Sequence, residues 1–308
     1  MAFIEKYLNP FTDFGFKKLF GTEPNKDLLI DFLNQVILPE QRKIVDLSYK
    51  KTEHLGATEF DRKAIFDLYC TGSNNERFIV EMQKAKQNYF KDRTVFYASF
   101  PIQEQAQQGD WDYKLSEVFT VGILDFVFSE EKTEAEKDKT TQEKVKAITA
   151  KEPKDVRHVV QLKDHKCRVF YDKLTFIYLE MPNFTKTEEE LETTYDKWLY
   201  VLKNLSTLPK RPNKLQEKIF ERLFEAAEIA KFTPEEKSLY EESLKTYRDL
   251  KNVIDTSYND GKTEGKIEEK TEGIINALKQ GKLTYQDIAE IFNTSIESVL
   301  KIKEQFHL

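Results

Sequence analysis

The stretch that decides the fold is AIFDLYCTGSNNERFIVEMQ, from Ala64 to Gln83. Two apolar runs, rich in β-branched and aromatic residues, flank a Gly-Ser-Asn-Asn cluster, and this pattern predicts a β-hairpin. Each run contains polar side chains that a buried strand usually avoids, namely Asp67 in the first run and Glu81 with Gln83 in the second. The chemistry of the chain therefore depends on whether the hairpin brings these groups together.

The register of the hairpin follows from its apolar residues. Strand side chains alternate between two faces, so a slip of one residue would turn a whole strand over. One set of apolar side chains must therefore face a common core: Phe66, Leu68, Val80 and Met82. That arrangement places Asp67 opposite Glu81 or Gln83 and centres the loop near Asn74.

Two carboxylates that face each other in a half-buried sheet repel and lose hydration. A divalent cation offsets both costs, because carboxylate oxygens are the hard ligands that Mg²⁺ prefers. The hairpin thus predicts a site for Mg²⁺ (or Mn²⁺) at Asp67 and Glu81. The alternative, which the hairpin alone leaves open, is a polar strand face that meets water and holds no cation.

Four segments carry a family resemblance. Asp67 followed by Glu81-Met82-Gln83 resembles the PD-(D/E)XK nuclease signature in a form that ends in glutamine. The four segments are TDFGFKKLFG (Thr12–Gly21), DLLIDFLN (Asp27–Asn34), FIVEMQ (Phe78–Gln83) and the run from Phe90 through Arg93 to Tyr97. Together and in this order, they resemble the Rpn family of bacterial recombination-promoting nucleases, which are labelled transposases. The resemblance covers residues 1 to about 185 and continues weakly beyond them.

The resemblance implies a fold and a function. The fold is α/β, a restriction-endonuclease-like core with a mixed central β-sheet flanked by helices, followed by an α-helical C-terminal region. The function is that of a metal-dependent DNA endonuclease, which hydrolyses phosphodiester bonds in double-stranded DNA and promotes recombination or mobile-element events. The alternative is a catalytically degenerate member of the fold that binds DNA or protein.

The resemblance also implies site residues. Asp67 and Glu81 would bind the metal, and the main-chain carbonyl of Met82 completes the set in the family. Gln83 stands where most of the superfamily has lysine, and its neutral amide can orient water but cannot stabilise charge as an ammonium does. Asp13 matches an acid of the family's N-terminal motif and is a further catalytic candidate, the alternative being a helix cap.

DNA binding requires basic side chains, although the formal net charge of the chain is −6. Four residues are candidate contacts to DNA phosphates: Lys17, Lys84, Lys86 and Arg93. Two of them, Lys84 and Lys86, follow the second strand of the hairpin, so a basic patch can exist despite the acidic total. The alternative is an ordinary solvated surface.

The composition of the chain indicates which class of protein it belongs to. The 308 residues are 39% hydrophobic and 33% charged, which is typical of a soluble globular protein. No run approaches the roughly 18 apolar residues of a membrane span. The N-terminal residues lack a signal-peptide pattern and there are two cysteines, so we expect a cytoplasmic location. The four histidines lack zinc-ligand spacing, and without a glycine-rich phosphate loop no nucleotide cofactor is expected.

The chain divides into three predicted regions: 1–185, a nuclease core with a charged insertion at about 129–150; 186–258, a helical region; and 259–308, a glycine-punctuated connector with a helix-turn-helix-like tail. Within the core, apolar periodicity predicts helices at 13–20, 25–37 and 84–108 and strands at 43–51, 118–128, 156–162 and 174–181.

In the C-terminal part, a capping box at Thr233 predicts a helix that runs past Ile254 and then weakens through three glycines, Gly261, Gly265 and Gly273. Two further short helices are predicted to start at Thr284 and at Asn293-Thr294. The last helix lacks the Arg or Asn/Gln cluster that reads bases. We therefore favour a small helical module for partners, including a homo-oligomeric contact, over sequence-specific DNA binding.

Overall fold

The computed structural model describes residues 5–37, 43–54, 64–106, 112–127 and 155–308. The predicted charged insertion at 129–150 lies outside these residues. The strands of the described part are β1 (Leu47–Tyr49), β2 (Glu53–His54), β3 (Ala64–Ile65), β4 (Leu68–Gly72), β5 (Arg77–Gln83), β6 (Val118–Leu124), β7 (Arg157–Lys163) and β8 (Val169–Glu180).

Two of the α-helices precede these strands, one lies between β5 and β6, and the others follow β8. None of the described helices combines the length and the apolar character that crossing a membrane requires. In the described ranges the helices are α1 (Asp13–Phe20), α2 (Lys26–Val36), α3 (Phe90–Gln103), α4 (Thr194–Asn204), α5 (Lys218–Ala227), α6 (Pro234–Gln280), α7 (Tyr285–Ile291) and α8 (Ile296–Gln305).

Six of the strands form a mixed sheet in the order β1-β4-β5-β6-β8-β7, and β2 pairs separately with β3. The three central strands β5, β6 and β8 run parallel, whereas β1, β4 and β7 pair antiparallel with their neighbours. This mixed sheet with flanking helices confirms the predicted restriction-endonuclease-like α/β fold. β6 is buried on both faces, as its continuous apolar sequence predicts.

The two faces of the sheet have different cores. One face packs against α1, α2, α4, α5 and the first part of α6, with Trp198 and Phe20 at the centre of an aromatic cluster. The other face is covered by α3, which packs Phe90 and Ala98 against Tyr178 of β8. β5 contributes to both cores, because Val80 faces the first and Ile79 the second. Glu81 and Gln83 alternate with Val80 and so belong to the α3 face.

The structure confirms the predicted hairpin register. Leu68 pairs with Val80 and Cys70 pairs with Phe78. The turn lies around Asn74, as expected from the apolar residues. Continued by one position, the same register places Asp67 beside Glu81.

One apolar position of the hairpin was predicted wrongly. Phe66 does not share the face of Leu68; its ring packs on the α3 side, 5.3 Å from the ring of Tyr97. The alternation fails because the first run is not one strand: β3 ends at Ile65 and β4 begins at Leu68. The backbone N–H of Phe66 instead donates to the carbonyl of Thr52, 2.9 Å away.

The remaining predicted elements of the core are present with shifted ends. α1 is capped by Thr12 and Gly21, and α2 lies within its predicted span, one residue shorter at each end. β1 is shorter than predicted, and α3 begins only at Phe90. A proline is expected to kink or interrupt a helix, but Pro101 lies inside the last turn of α3, and the helix ends two residues later.

The chain forms two compact units, residues 1–247 and 248–308. In the second unit, the prediction that the helix weakens through its glycines is wrong, because α6 is continuous to Gln280. Gly281, with φ of +63°, then ends it. α7 begins with a capping box between Thr284 and Asp287 as predicted, whereas the N-cap of α8 is Ser295 and not Thr294.

The glycines of α6 offer a matched test of its continuity. A Cβ at Gly265 would meet nothing within 4 Å, whereas one at Gly273 would overlap the ring of Phe292. We expect Gly265→Ala to stabilise the helix by about 0.5–1 kcal/mol and Gly273→Ala to destabilise the second unit. Thermal unfolding followed by circular dichroism at 222 nm measures both. A Gly265→Ala variant that is no more helical and no more stable would contradict a continuous α6.

Candidate active site

The interruption between β3 and β4 lies at Asp67. Without ladder partners there, the backbone N–H of Asp67 donates to Oε1 of Glu81 over 3.2 Å. In return, Oδ2 of Asp67 accepts from the backbone N–H of Met82 over 2.7 Å. The two acids are thus interlocked: each carboxylate is held by a backbone N–H of the opposite strand. The structure brings Asp67 and Glu81 together as the hairpin predicts.

Glu81 has a second set of partners at its other oxygen. Its Oε2 accepts from Nε2 of Gln83 over 3.0 Å and lies 3.7 Å from Nη2 of Arg93. Glu81 is 4% exposed and Gln83 is 7% exposed. The strand and α3 therefore enclose the carboxylate of Glu81, and water reaches little of it.

Burial sets the protonation of this pair. Desolvation raises the pKa of Glu81 to about 8, and the charge of Asp67 adds to the shift, whereas Arg93 and the hydrogen bonds from Asp67 and Gln83 oppose it. Desolvation also raises the pKa of Asp67, against the hydrogen bond from Met82 and the charges of Lys17 and Lys84. Without a cation, Glu81 therefore keeps a proton at neutral pH that an isolated glutamic acid releases.

Asp67 opens onto a cleft of about 850 Å³. Asp13, Lys17 and Lys84 line the same cleft, so predicted residues from the N-terminal motif and from the end of the hairpin meet there. Asp13 forms an ion pair with Lys17 at 2.9 Å, and its charge helps to raise the pKa of Asp67. The alternative of Asp13 as a helix cap is wrong, because the side chain of Thr12 caps α1.

The other two predicted phosphate contacts lie elsewhere. Lys86 is exposed in the segment between β5 and α3. Arg93, on the first turn of α3, lies over the ring of Tyr97 at 5.0 Å and beside Glu81. Arg93 therefore belongs to the surroundings of the carboxylate pair, which its position in the sequence did not indicate.

The donor set determines which cation fits. Within the described residues, no group of three or more His, Cys, Asp and Glu side chains is arranged to hold a metal ion. Two neighbouring carboxylates remain, and their raised pKa values show that the site favours positive charge, whether a proton or a cation. Mg²⁺ is commonly bound by one or two carboxylates, with water and substrate phosphates as its other ligands. Asp67 and Glu81 fit that mode.

Two further acids lie at the ends of the parallel strands. Leu124 of β6 pairs with Gln83 on one side and with Glu180 on the other. The next residue, Asp125, donates its N–H to the carbonyl of Gln83 over 2.9 Å, and its carboxylate accepts from the hydroxyl of Tyr247. The parallel pairing of β5 and β6 therefore places the backbone of Asp125 beside that of Gln83.

The sequence matches one family model. This model, described as PD-(D/E)XK nuclease family transposase, matches residues 10–147 and 144–257. The two matches together span most of the 308 residues. No curated protein and no solved structure matches the chain.

The raised pKa values make a stability prediction. A carboxyl with a folded pKa above its unfolded pKa binds more protons in the folded state, so stability falls as pH rises between the two values. For Glu81 this window runs from 4.5 to about 8. In chelator, we expect the free energy of unfolding to fall across it, by at most about 1.4 kcal/mol per pH unit for each proton.

Denaturant unfolding at pH 5 to 8 measures this fall. In Glu81→Gln the free energy of unfolding should fall less with pH, because the titrating carboxyl is removed. The amide still provides an acceptor for the N–H of Asp67. Mg²⁺ should raise stability at pH 8 in the wild type but not in the variant. Glu241→Gln, an exposed change on α6, serves as the charge control. Parallel curves for the wild type and Glu81→Gln would contradict the buried, proton-binding pair.

Proposed function

Because this chain belongs to the PD-(D/E)XK nuclease family transposases, we propose that it is a metal-dependent endonuclease that hydrolyses phosphodiester bonds in double-stranded DNA. Nucleases of this kind generally use divalent metals, and the family supports a hydrolase. The observation that carries the proposal is the interlocked pair of Asp67 and Glu81, held by the hydrogen bonds between Asp67 and residues 81 and 82. We further propose that the cleavage promotes recombination or mobile-element events.

The proposed residues have distinct roles. Asp67, Glu81 and the main-chain carbonyl of Met82 would hold Mg²⁺ or Mn²⁺. The bound cation supplies Lewis-acid stabilisation of charge on the phosphoryl oxygens. Gln83 donates to Glu81 through Nε2, which leaves its amide oxygen to accept a hydrogen bond from water. Asp13, which lines the cleft and pairs with Lys17, is a further catalytic candidate.

Hydrolysis joins a water oxygen to phosphorus and breaks the bond from phosphorus to a sugar oxygen, which leaves with a proton. Negative charge spreads over the phosphoryl oxygens as this occurs. The chain contributes fixed groups around that charge: Gln83 positions the water, and the hydrogen bonds of Glu81 keep its carboxylate in one orientation. Such preorganised groups need not rearrange during the reaction.

The cleft offers cationic side chains to a polyanionic substrate. Four lysines line it, and four acids line it with them: Lys17, Lys18, Lys50 and Lys84, with Asp13, Asp67, Glu236 and Glu242. Because the two signs balance, we propose that a divalent cation at Asp67 provides the excess positive charge that DNA needs in order to approach a chain whose net charge is −6. Lys86 lies outside the cleft, and its proposed contact would be with phosphates further along the duplex.

A second candidate function is a nuclease fold that binds DNA or protein without cutting. The observation in its favour is the replacement of the signature lysine by Gln83, which removes a charge from the site. Cleavage assays with a matched variant distinguish the two functions. The proposed homo-oligomeric contact through the C-terminal helices is independent of both.

Asp67→Asn provides the test. The substitution keeps an acceptor for the N–H of Met82 and removes only the charge, so we expect a folded protein that cleaves plasmid DNA at least about 10²-fold more slowly in Mg²⁺. The variant should also be more stable than the wild type in chelator at pH 8, because repulsion between the acids is removed. Asp255→Asn, at an exposed position of α6, should cut normally. Wild-type activity in Asp67→Asn would contradict the metal assignment, and an inactive wild type would favour the binding module.

A further inference from the structure

The signature that names the family ends in lysine, and this chain has Gln83 at that position. A neutral amide can hold water, but it carries no charge to stabilise a phosphate on which negative charge develops. β5 therefore lacks one of the groups that the signature provides. Given the proposed nuclease function, we propose that Arg93 supplies this positive charge from α3 and acts on the phosphate during hydrolysis.

The charge lies beside the position of the missing lysine. Oε2 of Glu81 accepts from Nε2 of Gln83 at 3.0 Å, and the same oxygen lies 3.7 Å from Nη2 of Arg93. The guanidinium and the amide thus converge on one carboxylate oxygen from two different elements. Arg93 approaches Oε2 of Glu81 from α3. A lysine at position 83 would approach the same oxygen from β5, so the two positive charges would lie in the same place.

The backbone between β5 and α3 directs Arg93 to this place. Tyr89 adopts the left-handed conformation, with φ of 59°, and immediately precedes the helix. Its carbonyl accepts from the N–H of Arg93 at 2.9 Å, so the first turn of α3 begins at this bend. A positive φ costs a non-glycine residue conformational energy, which the surrounding contacts must offset. As a result, the first turn of α3 places the side chain of Arg93 beside Glu81 of β5, the strand that precedes the helix.

Contacts on several sides hold the guanidinium. Nη1 donates to Oε1 of Gln87, and the planar group lies 5.0 Å from the centre of the Tyr97 ring. Nη2 faces Glu81. The side chain of Arg93 is 34% exposed, so it is fixed by neighbours and still reached from solvent. A substrate phosphate can therefore meet a cation that is already oriented.

Arginine is chemically suited to this role. Its guanidinium carries five N–H donors, and the contacts to Gln87 and Glu81 leave others for phosphoryl oxygens. It remains protonated throughout, so it transfers no proton in the reaction. Its contribution is charge and hydrogen bonds to the phosphate while water attacks and the sugar oxygen leaves. This role differs from a general contact to DNA, which would strengthen binding without accelerating the chemical step.

Single-turnover cleavage at saturating DNA tests the role of Arg93. We expect Arg93→Gln to lower the maximal rate by about 10²- to 10³-fold, with little change in the DNA concentration at half-saturation. Arg93→Lys, which keeps the charge and loses the planar fork, should recover part of the rate. The decisive variant is Arg93→Gln with Gln83→Lys, which returns the charge to the strand and should raise the rate at least tenfold above Arg93→Gln alone.

Two controls separate the explanations. Lys91→Gln removes the same charge from an exposed position on the same helix and should leave the maximal rate unchanged. Circular dichroism and thermal unfolding of each variant establish that it is folded. Arg93→Gln with the wild-type maximal rate, or with only weaker DNA binding, would overturn the inference while leaving the proposed function intact.

A slow Arg93→Gln variant can also mean that Arg93 only supports Glu81 structurally. If neither Arg93→Lys nor the double variant, Arg93→Gln with Gln83→Lys, restores activity, that explanation holds and the inference is wrong. If the wild type cuts no DNA with any divalent cation, the proposed function fails, and this inference fails with it. Restored cleavage in the double variant would establish that charge, at either position, is what the site requires.

Discussion

A pair of carboxylates enclosed in an otherwise apolar sheet is the constraint on which the rest of the structure depends. Burying one ionised carboxyl is costly, and burying two side by side is more so. The chain meets this cost with backbone N–H groups from both strands, with the amide of Gln83 and with the guanidinium of Arg93. The interruption between β3 and β4 is what frees the N–H of Asp67 for this purpose.

Asp67 and Glu81 lie next to different layers of helices, on the two faces of the sheet. β5 lies inside the sheet and directs Glu81 and Gln83 towards α3, while the cleft beside Asp67 is lined by α1 and the beginning of α6. The residue paired with Glu81 on β6 is Gly122, where a Cβ would lie 3.0 Å from the ring of Tyr178. Glu81 is therefore flanked by a position that carries no side chain, and the ring of Tyr178 occupies the adjoining space.

The sequence predicts these features to different degrees. Alternation of apolar residues was enough to pair Leu68 with Val80 and so to bring Asp67 beside Glu81, because a slip would expose a whole apolar face. The same alternation misplaced Phe66, since periodicity cannot reveal a strand that stops for two residues. Local propensity likewise failed in α6, where charged residues and glycines suggested a weak connector but a continuous helix forms. The neighbours of Arg93 depend on the bend at Tyr89, which no pattern in the sequence indicates.

The central claim is that Asp67 and Glu81 together bind a divalent cation. Crystals soaked in Mn²⁺ and measured at a wavelength where manganese scatters anomalously test it most directly. We predict one strong anomalous peak within about 2.0–2.3 Å of oxygens from both carboxylates, and its loss in crystals of Asp67→Asn. Ordered carboxylates that keep their backbone hydrogen bonds but show no peak, or a peak bound at other residues alone, would contradict the claim.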